Sequence, residues 1–274
     1  MARPDWFVAF IRHAVRTAPW IAKATQRPVV GPGLRALLRF LTRHDDAIYL
    51  PKDRVIEVRA PVPAPESLAL PSHIVEHFVR QASFRWIMNR CLCRHASECE
   101  DYPIDLGCLF LGEAARQINP ALGRPATVEE ALAHVARARE LGLVHMIGRH
   151  TFDSHWLGAR PAERLMTICS CCPCCCVIGQ LQHVPPHVHH SIAPMPGVRV
   201  RVTDRCTGCG ACAQGICFTN AIAVPNGRAV ISGLCVACGR CVEICPNQAL
   251  ELCVDDDAYV ETTIRRLERR VDVR

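Results

Sequence analysis

The chain has 274 residues, half of them apolar and a fifth charged, with 19 cysteines and a formal net charge of +6. That length supports one or two domains with a real hydrophobic core and excludes a disordered chain. All 19 cysteines lie between Cys91 and Cys253, an odd number with many direct neighbours, which excludes the disulfide framework of a small secreted domain and points to metal ligation in a reducing compartment.

Met1 to Ala22 carries one short apolar run, Trp6 to Ile11, followed by Arg12 and Arg16, with no small-residue cleavage pattern, so a cytoplasmic location is expected. Residues 1–60 form a basic N-terminal segment holding eleven Lys or Arg against five Asp or Glu; the rest of the chain is neutral. Trp6, Phe7, Phe10, Ile11, Ala14 and Val15 recur at helical spacing with Arg12 and Arg16 opposite. Beyond the Gly31-Pro32-Gly33 turn, Leu34, Leu37, Leu38 and Leu41 do the same with Arg35, Arg39 and Arg43 opposite. Two amphipathic helices and a strand, Val55 to Val58, are therefore predicted. Basic amphipathic helices suit a peripheral membrane contact or a partner groove, and packing on the protein's own core is the commoner use. Nucleic acid is not an expected partner, because the basic stretch has little aromatic interleaving and no helix-turn-helix follows it.

Prolines 61, 63, 65 and 71 make residues 61–72 a stiff linker. Residues 73–195 read as a mainly helical, cysteine-rich module. Ile74, Val75, Phe78, Val79 and Ala82 share one helical face after Ser72, and Trp86 and Ile87 extend the pattern towards Cys91. A second helix is predicted over Leu109 to Ile118. A third starts at the capping box Thr127–Glu130 and ends at Gly142. Arg164 and Arg199 bracket a stretch without Asp, Glu, Lys or Arg, but its six cysteines, Pro173 and Gly179 argue against a transmembrane helix.

Residues 206–253 contain a repeat. Cys206, Cys209 and Cys212 recur 29 residues on as Cys235, Cys238 and Cys241, and Cys217 answers to Cys245, which Pro246 follows. The runs CTGCGACAQGICF and CVACGRCVEICP place three thiolates around one corner of a small loop, as a cubane iron–sulfur cluster requires, with the fourth ligand supplied by the other repeat. Zinc is the alternative for Cys-x2-Cys pairs, yet zinc ribbons lack two interlocked triplets with a distant fourth cysteine.

From Gly197 to Cys253 the sequence resembles the bacterial two-cluster ferredoxins. The resemblance implies a small βαββαβ dicluster domain over 196–253, with strands at Val198 to Val202, Ile222 to Val224, Ala229 to Ile231 and Ala249 to Leu252. It assigns one [4Fe–4S] cluster to Cys206, Cys209, Cys212 and Cys245, and the other to Cys235, Cys238, Cys241 and Cys217. Phe218, where proline is usual, and the extra residue before Cys217 depart from the pattern. Residues 254–274 read as a C-terminal helix, Tyr259 to Val271, that docks on the domain or on a partner. The fold class expected is α+β.

Ten further cysteines form a second constellation of metal ligands: Cys91, Cys93, Cys99 and Cys108, then Cys169, Cys171, Cys172, Cys174, Cys175 and Cys176. Neighbours in such runs generally cannot all serve one tetrahedral zinc, so further iron–sulfur clusters, zinc, or both are open. Arg94 and His95 are placed to donate to sulfur; His145, His150, His155, His183, His187, His189 and His190 are further candidate ligands. Cys253 is left as a small buried hydrophobe. The runs CLCRH, YPID, GLVH and TICSCCPCCC are similar to a family of uncharacterised bacterial and archaeal iron–sulfur proteins that join such a module to a C-terminal two-cluster ferredoxin, a resemblance covering about 55–253. No dinucleotide fingerprint, P-loop, nucleophile elbow or HExxH occurs. The expected function is electron transfer with redox protein partners. The alternatives are an oxidoreductase subunit with the ten-cysteine site as its catalytic centre, or a redox sensor.

Overall fold

The computed structural model describes residues 3–42, 44–53, 70–183, 192–217, 219–255 and 258–274. The strand expected over Val55 to Val58, most of the proline linker, Phe218 and the histidines at 187, 189 and 190 lie outside the described residues.

The two N-terminal amphipathic patterns are helices. α1 (Asp5–Ala24) runs through Pro19, and α2 (Gly31–Thr42) begins at the Gly-Pro-Gly segment expected as a turn. Proline near the first position suits a helix start, where its missing N–H has no intrahelical acceptor in any case. α1 buries Ile11, Val15 and Ala22 and leaves Trp6, Phe10 and Trp20 exposed.

The middle of the chain is not mainly helical. It is built on a seven-stranded sheet ordered β4-β2-β3-β6-β5-β1-β7. The strands are β1 (Asp46–Tyr49), β2 (Arg85–Met88), β3 (Leu109–Leu111), β4 (Gly123–Pro125), β5 (Val144–Arg149), β6 (Met166–Cys171) and β7 (Ile192–Pro194). All neighbours are antiparallel except β1 and β7. The helix after the linker, α3 (Pro71–Gln81), stops where Ala82 turns extended, and Trp86 and Ile87 belong to β2. The helix expected over Leu109 to Ile118 is replaced by β3 and a short 3-10 turn, Glu113–Gln117. Leu109, Phe110 and Leu111 are all buried, and an apolar run buried on both faces carries no period that separates strand from helix.

The third expected helix is present. In α5 (Val128–Glu140) the Thr127 hydroxyl accepts from the Glu130 amide at 3.2 Å, and the Glu130 carboxylate accepts from the Thr127 amide at 2.9 Å. Two short helices complete this region, α4 (Leu92–Ala96) and α6 (Thr151–Leu157).

The sheet divides the interior. On one face Ile48, Ile74, Phe78, Leu109, Ile147 and Ile168 form a core with α3 and α5. On the other, Trp86, Met88, Phe110 and Trp156 pack beneath α1, and Tyr49, Val144 and Met146 pack with Cys171 and Cys176.

Residues 198–254 contain two small antiparallel pairs. β8 (Val198–Val202) pairs with β11 (Leu250–Val254), and β9 (Ile222–Ala223) pairs with β10 (Val230–Ile231); α7 (Arg240–Glu243) lies between the second pair and β11. Leu250 and Leu252 face inward, so Cys253 falls on the opposite, half-buried face across from Arg199 rather than in the core. The last helix, α8 (Tyr259–Glu268), docks on the protein itself: Leu267, Val271 and Val273 enter the first core, and Arg266 and Arg270 hold the Asp46 carboxylate at 2.7 and 3.1 Å. The C-terminal tail thus closes over β1. No helix among the described residues is long and apolar enough to cross a membrane.

Gly148 of β5, opposite Ala47 of β1, has φ +151°, and a Cβ there would stand 2.1 Å from the Asp46 carbonyl oxygen. Gly148→Ala is expected to lower stability by about 1–3 kcal/mol through backbone strain and overpacking. Equilibrium denaturation of the variant checks this; an unchanged midpoint overturns it.

Candidate metal centres

In the C-terminal repeat, tight loops carry the thiols and aim backbone amides at them. Gly208, Gly210 and Gly239 have φ of +70°, +82° and +84°. At Gly208 a Cβ would meet the Gly227 carbonyl oxygen at 2.2 Å, so no larger residue fits the first loop. Cys206, Cys209, Cys212 and Cys245 line one small cavity together with Gly208 and Gly210. The amides of Ala229 and Ala249 donate to the Cys206 and Cys245 sulfurs at 3.4 and 3.2 Å. Around the second set, the amides of Ala221 and Ala237 donate to Cys217 and Cys235 at 3.2 and 3.4 Å.

Burial pushes Cys235 up to about 11 and raises Cys241, with the nearby thiols of Cys217 and Cys238 adding to both shifts. Thiols packed so closely resist ionisation unless a cation is present, and amide donors at sulfur are what a bound cluster takes up. The donor set therefore fits iron–sulfur clusters.

The ten other cysteines fall into two groups, and β6 explains why. Successive strand residues face opposite sides of the sheet, so Cys169 and Cys171 point beneath α1. Cys172 points the other way, into a cluster with Leu106, Ala138 and Leu143. The turn after Pro173 keeps Cys174 and Cys175 near Cys172 and returns Cys176 to Cys171. Cys99 completes the first group. The sulfurs of Cys99, Cys172, Cys174 and Cys175 all lie within 4.8 Å of one another, with Cys99 and Cys174 3.7 Å apart. Four of the ten thiols thus make a group able to hold a metal ion, and the adjacent Cys174 and Cys175 share it.

The remaining six form a second, contiguous group. Cys108 and Cys169 have sulfurs 3.4 Å apart. Cys91 bonds with Cys108 and Cys93, Cys93 with Cys176, and Cys176 with Cys171. Hydrogen bonds donated to these neighbours, with burial, raise Cys93, Cys108 and Cys171 well above the usual thiol range. The same bonds hold Cys91 and Cys176 well below it. Tyr49, which carried no signal in the sequence, donates its hydroxyl to the Cys171 sulfur at 3.4 Å.

Arg94 lies between the two groups and is 1% exposed. Its guanidinium donates to the carbonyls of Pro103 and Ser170 at 2.9 and 2.8 Å and to that of Leu106. Among the described residues no carboxylate pairs with it; the charges that favour its cationic form are Cys91, Cys172 and Cys108. A buried guanidinium is costly without counter-charge, and ionised sulfurs at Cys91, Cys172 and Cys108 are the groups placed to supply it.

His95 faces away from the thiols and meets Arg12 of α1 at 2.7 Å. His145 is buried near Ser170, and burial first and Arg139 second hold it down to about 4. His150 and His155 line the cavity beneath α1, and His155 Nδ1 is engaged by the Thr151 carbonyl at 2.7 Å. The carbonyl of His183 accepts from Gln26 at 2.9 Å.

The repeat region is fastened to the sheet near these thiols. Arg240, buried on α7, donates to the Cys171 carbonyl. Lys52 pairs with Glu243 at 2.6 Å, and Val236 and Cys238 pack in the same cluster as Tyr49, Cys171 and Cys176.

Residues 229–251 match the 4Fe–4S binding domain family, a span that includes Cys235, Cys238, Cys241 and Cys245. No curated protein and no solved structure matches the chain.

Removing the Arg94 charge strands three carbonyls and leaves the thiolates without their cation. Arg94→Ala is expected to cost about 3–5 kcal/mol, and Arg94→Lys to recover only part, because an ammonium cannot reproduce the planar fork. Denaturation of the metal-loaded variants checks this; Arg94→Ala with unchanged stability overturns it.

Proposed function

We propose that the chain is an iron–sulfur electron-transfer protein. Its ferredoxin-type part, 196–253, carries two [4Fe–4S] clusters, one on Cys206, Cys209, Cys212 and Cys245 and the other on Cys235, Cys238, Cys241 and Cys217. The observation that carries the reading is the arrangement of each foursome: a triplet on a glycine-bearing loop, a fourth thiol from the other repeat, and amides aimed at the sulfurs. The 4Fe–4S domain match over the second triplet supports it. Bound clusters supply one-electron chemistry. The protein's own residues hold them, exclude water with Ile222, Ala229 and Leu250, and tune them through the amide donors.

The cysteine-rich module, 73–195, stands behind the second foursome. Cys238 packs against the hydrophobic cluster that contains Cys171 and Cys176, so the two sets of thiols border one cluster. An electron carrier with a redox protein partner in a reducing, cytoplasmic setting accounts for both. The oxidoreductase alternative draws on the same contact, with the ten-cysteine module as the electron terminus.

α1 and α2 offer a docking surface for such a carrier. Trp6, Phe10 and Trp20 of α1 and Leu37 and Phe40 of α2 are each more than half exposed, with Arg12, Arg16, Lys23 and Arg39 beside them. Bulky apolar side chains edged by cations suit an anionic lipid surface.

Two measurements test these readings. In anaerobically prepared full-length protein, Cys245→Ser and Cys241→Ser are each expected to lower iron by about four per chain, the content of one cubane, and to alter the paramagnetic resonance of the reduced protein. Unchanged iron in both overturns the cluster assignment. In sedimentation with phosphatidylserine vesicles, the protein is expected to bind and Trp6→Ala/Trp20→Ala to bind at least several-fold more weakly; equal recovery with neutral vesicles overturns the lipid contact.

A further inference from the structure

We infer that the ten-cysteine module holds two unlike metal sites: a single zinc ion on Cys99, Cys172, Cys174 and Cys175, and an iron–sulfur cluster on the six thiols Cys91, Cys93, Cys108, Cys169, Cys171 and Cys176. The inference goes beyond the ferredoxin-type clusters and rests on that reading only for the supply of electrons.

The first site is marked by four sulfurs that are all mutual neighbours. Zinc–thiolate bonds of about 2.3 Å in a tetrahedron put the ligand sulfurs about 3.8 Å apart. The 3.7 Å between Cys99 and Cys174, and the 4.8 Å limit on all four sulfurs, match one ion. The six-thiol group has close pairs of its own, such as Cys108 and Cys169 at 3.4 Å, so room rather than pair spacing separates the two sites. Four sulfurs and no other donor type also make the set of a closed structural site.

The six-thiol group differs in having space. All six, with Cys172 at the margin as the one thiol shared with the first group, line a cavity of about 560 Å³ whose far wall is Ala14, Val15, Ala18, Ile21 and Ala22 of α1. One metal ion fills little of such a volume, whereas a cluster brings inorganic sulfide and several irons. The cavity is largely apolar, so nothing in its far wall competes to hydrate or ligate a cation. His150 lies on its edge with Nε2 buried and without a hydrogen-bond partner among the described residues, placed to donate to sulfide or to ligate.

Charge and position agree. Arg94 stands between Cys172 of the first group and Cys91 and Cys108 of the second, so one buried cation serves two anionic thiolate sites. Cys238 packs against the hydrophobic cluster that contains Cys171 and Cys176, which places a redox-active occupant on the six-thiol side, while Cys172 and Cys175 pack in a separate cluster with Leu106, Ala138 and Leu143.

The test is iron, sulfide and zinc content of the anaerobically purified full chain and two variants, Cys93→Ser/Cys176→Ser and Cys99→Ser/Cys174→Ser. The wild type is expected to hold about twelve irons, four for each of three clusters, and one zinc. The first variant is expected to lose about four irons and keep the zinc; the second, to lose the zinc and keep its iron. A wild type with about eight irons overturns the six-thiol cluster while leaving the ferredoxin-type clusters standing. Loss of iron in place of zinc from the second variant overturns the zinc assignment. A first variant too unstable to purify is replaced by Mössbauer spectra of the wild type, in which two cubane components alone overturn the third cluster and an additional component supports it. Failure of the ferredoxin-type reading is read separately, in Cys241→Ser and Cys245→Ser.

Discussion

Burying the Arg94 guanidinium is costly, and several segments of the interior meet at it to offset that cost. Three backbone carbonyls take its protons, from the loop after α4, from the segment leading into β3, and from β6. The carbonyls orient it but bring no charge. The negative charges that favour its cationic form are the sulfurs of Cys91, Cys172 and Cys108, drawn from both groups of thiols. The strand and the loops that carry those sulfurs and carbonyls thus answer one constraint.

The sheet acts as a partition. One face is an ordinary aliphatic core closed by α3, α5 and α8. The other is thiol-rich near its centre and covered by the basic helix α1. β6 crosses the boundary, and its two-residue repeat distributes neighbouring cysteines to opposite sides. α7 and the Lys52–Glu243 pair then hold the repeat region against the thiol-rich side.

The 4Fe–4S motif over Cys235, Cys238, Cys241 and Cys245 was legible because its spacing is local: three thiols on one short loop declare themselves within seven residues. The helix at Val128–Glu140 was legible for the same reason, since its capping box is a contact between neighbours. The sheet was not. Leu109–Leu111 and Trp86–Met88 are short apolar runs whose pairing partners lie far along the chain, and Asp46–Tyr49 is too brief and too fully buried to show alternation. The division of the ten thiols depends on which way β6 faces and on where the Cys99 loop falls, and neither is written in the spacing of CSCCPCCC. Tyr49 reaches the Cys171 thiol from a distant segment and carries no motif, and the bond from Arg240 to the Cys171 carbonyl is not written in the CVACGRC run that contains it.

Helix α1 governs access to the thiols. It roofs the large cavity with Ala14, Val15, Ala18 and Ala22, and it is held there by Arg12 on His95, Arg16 on Glu98 and Ile11 and Val15 in the core beneath. Both polar fastenings lie at exposed side chains and hold weakly, so the two buried apolar residues carry most of the attachment. The wall over the thiols is therefore the part of this interior that local opening uncovers at least cost.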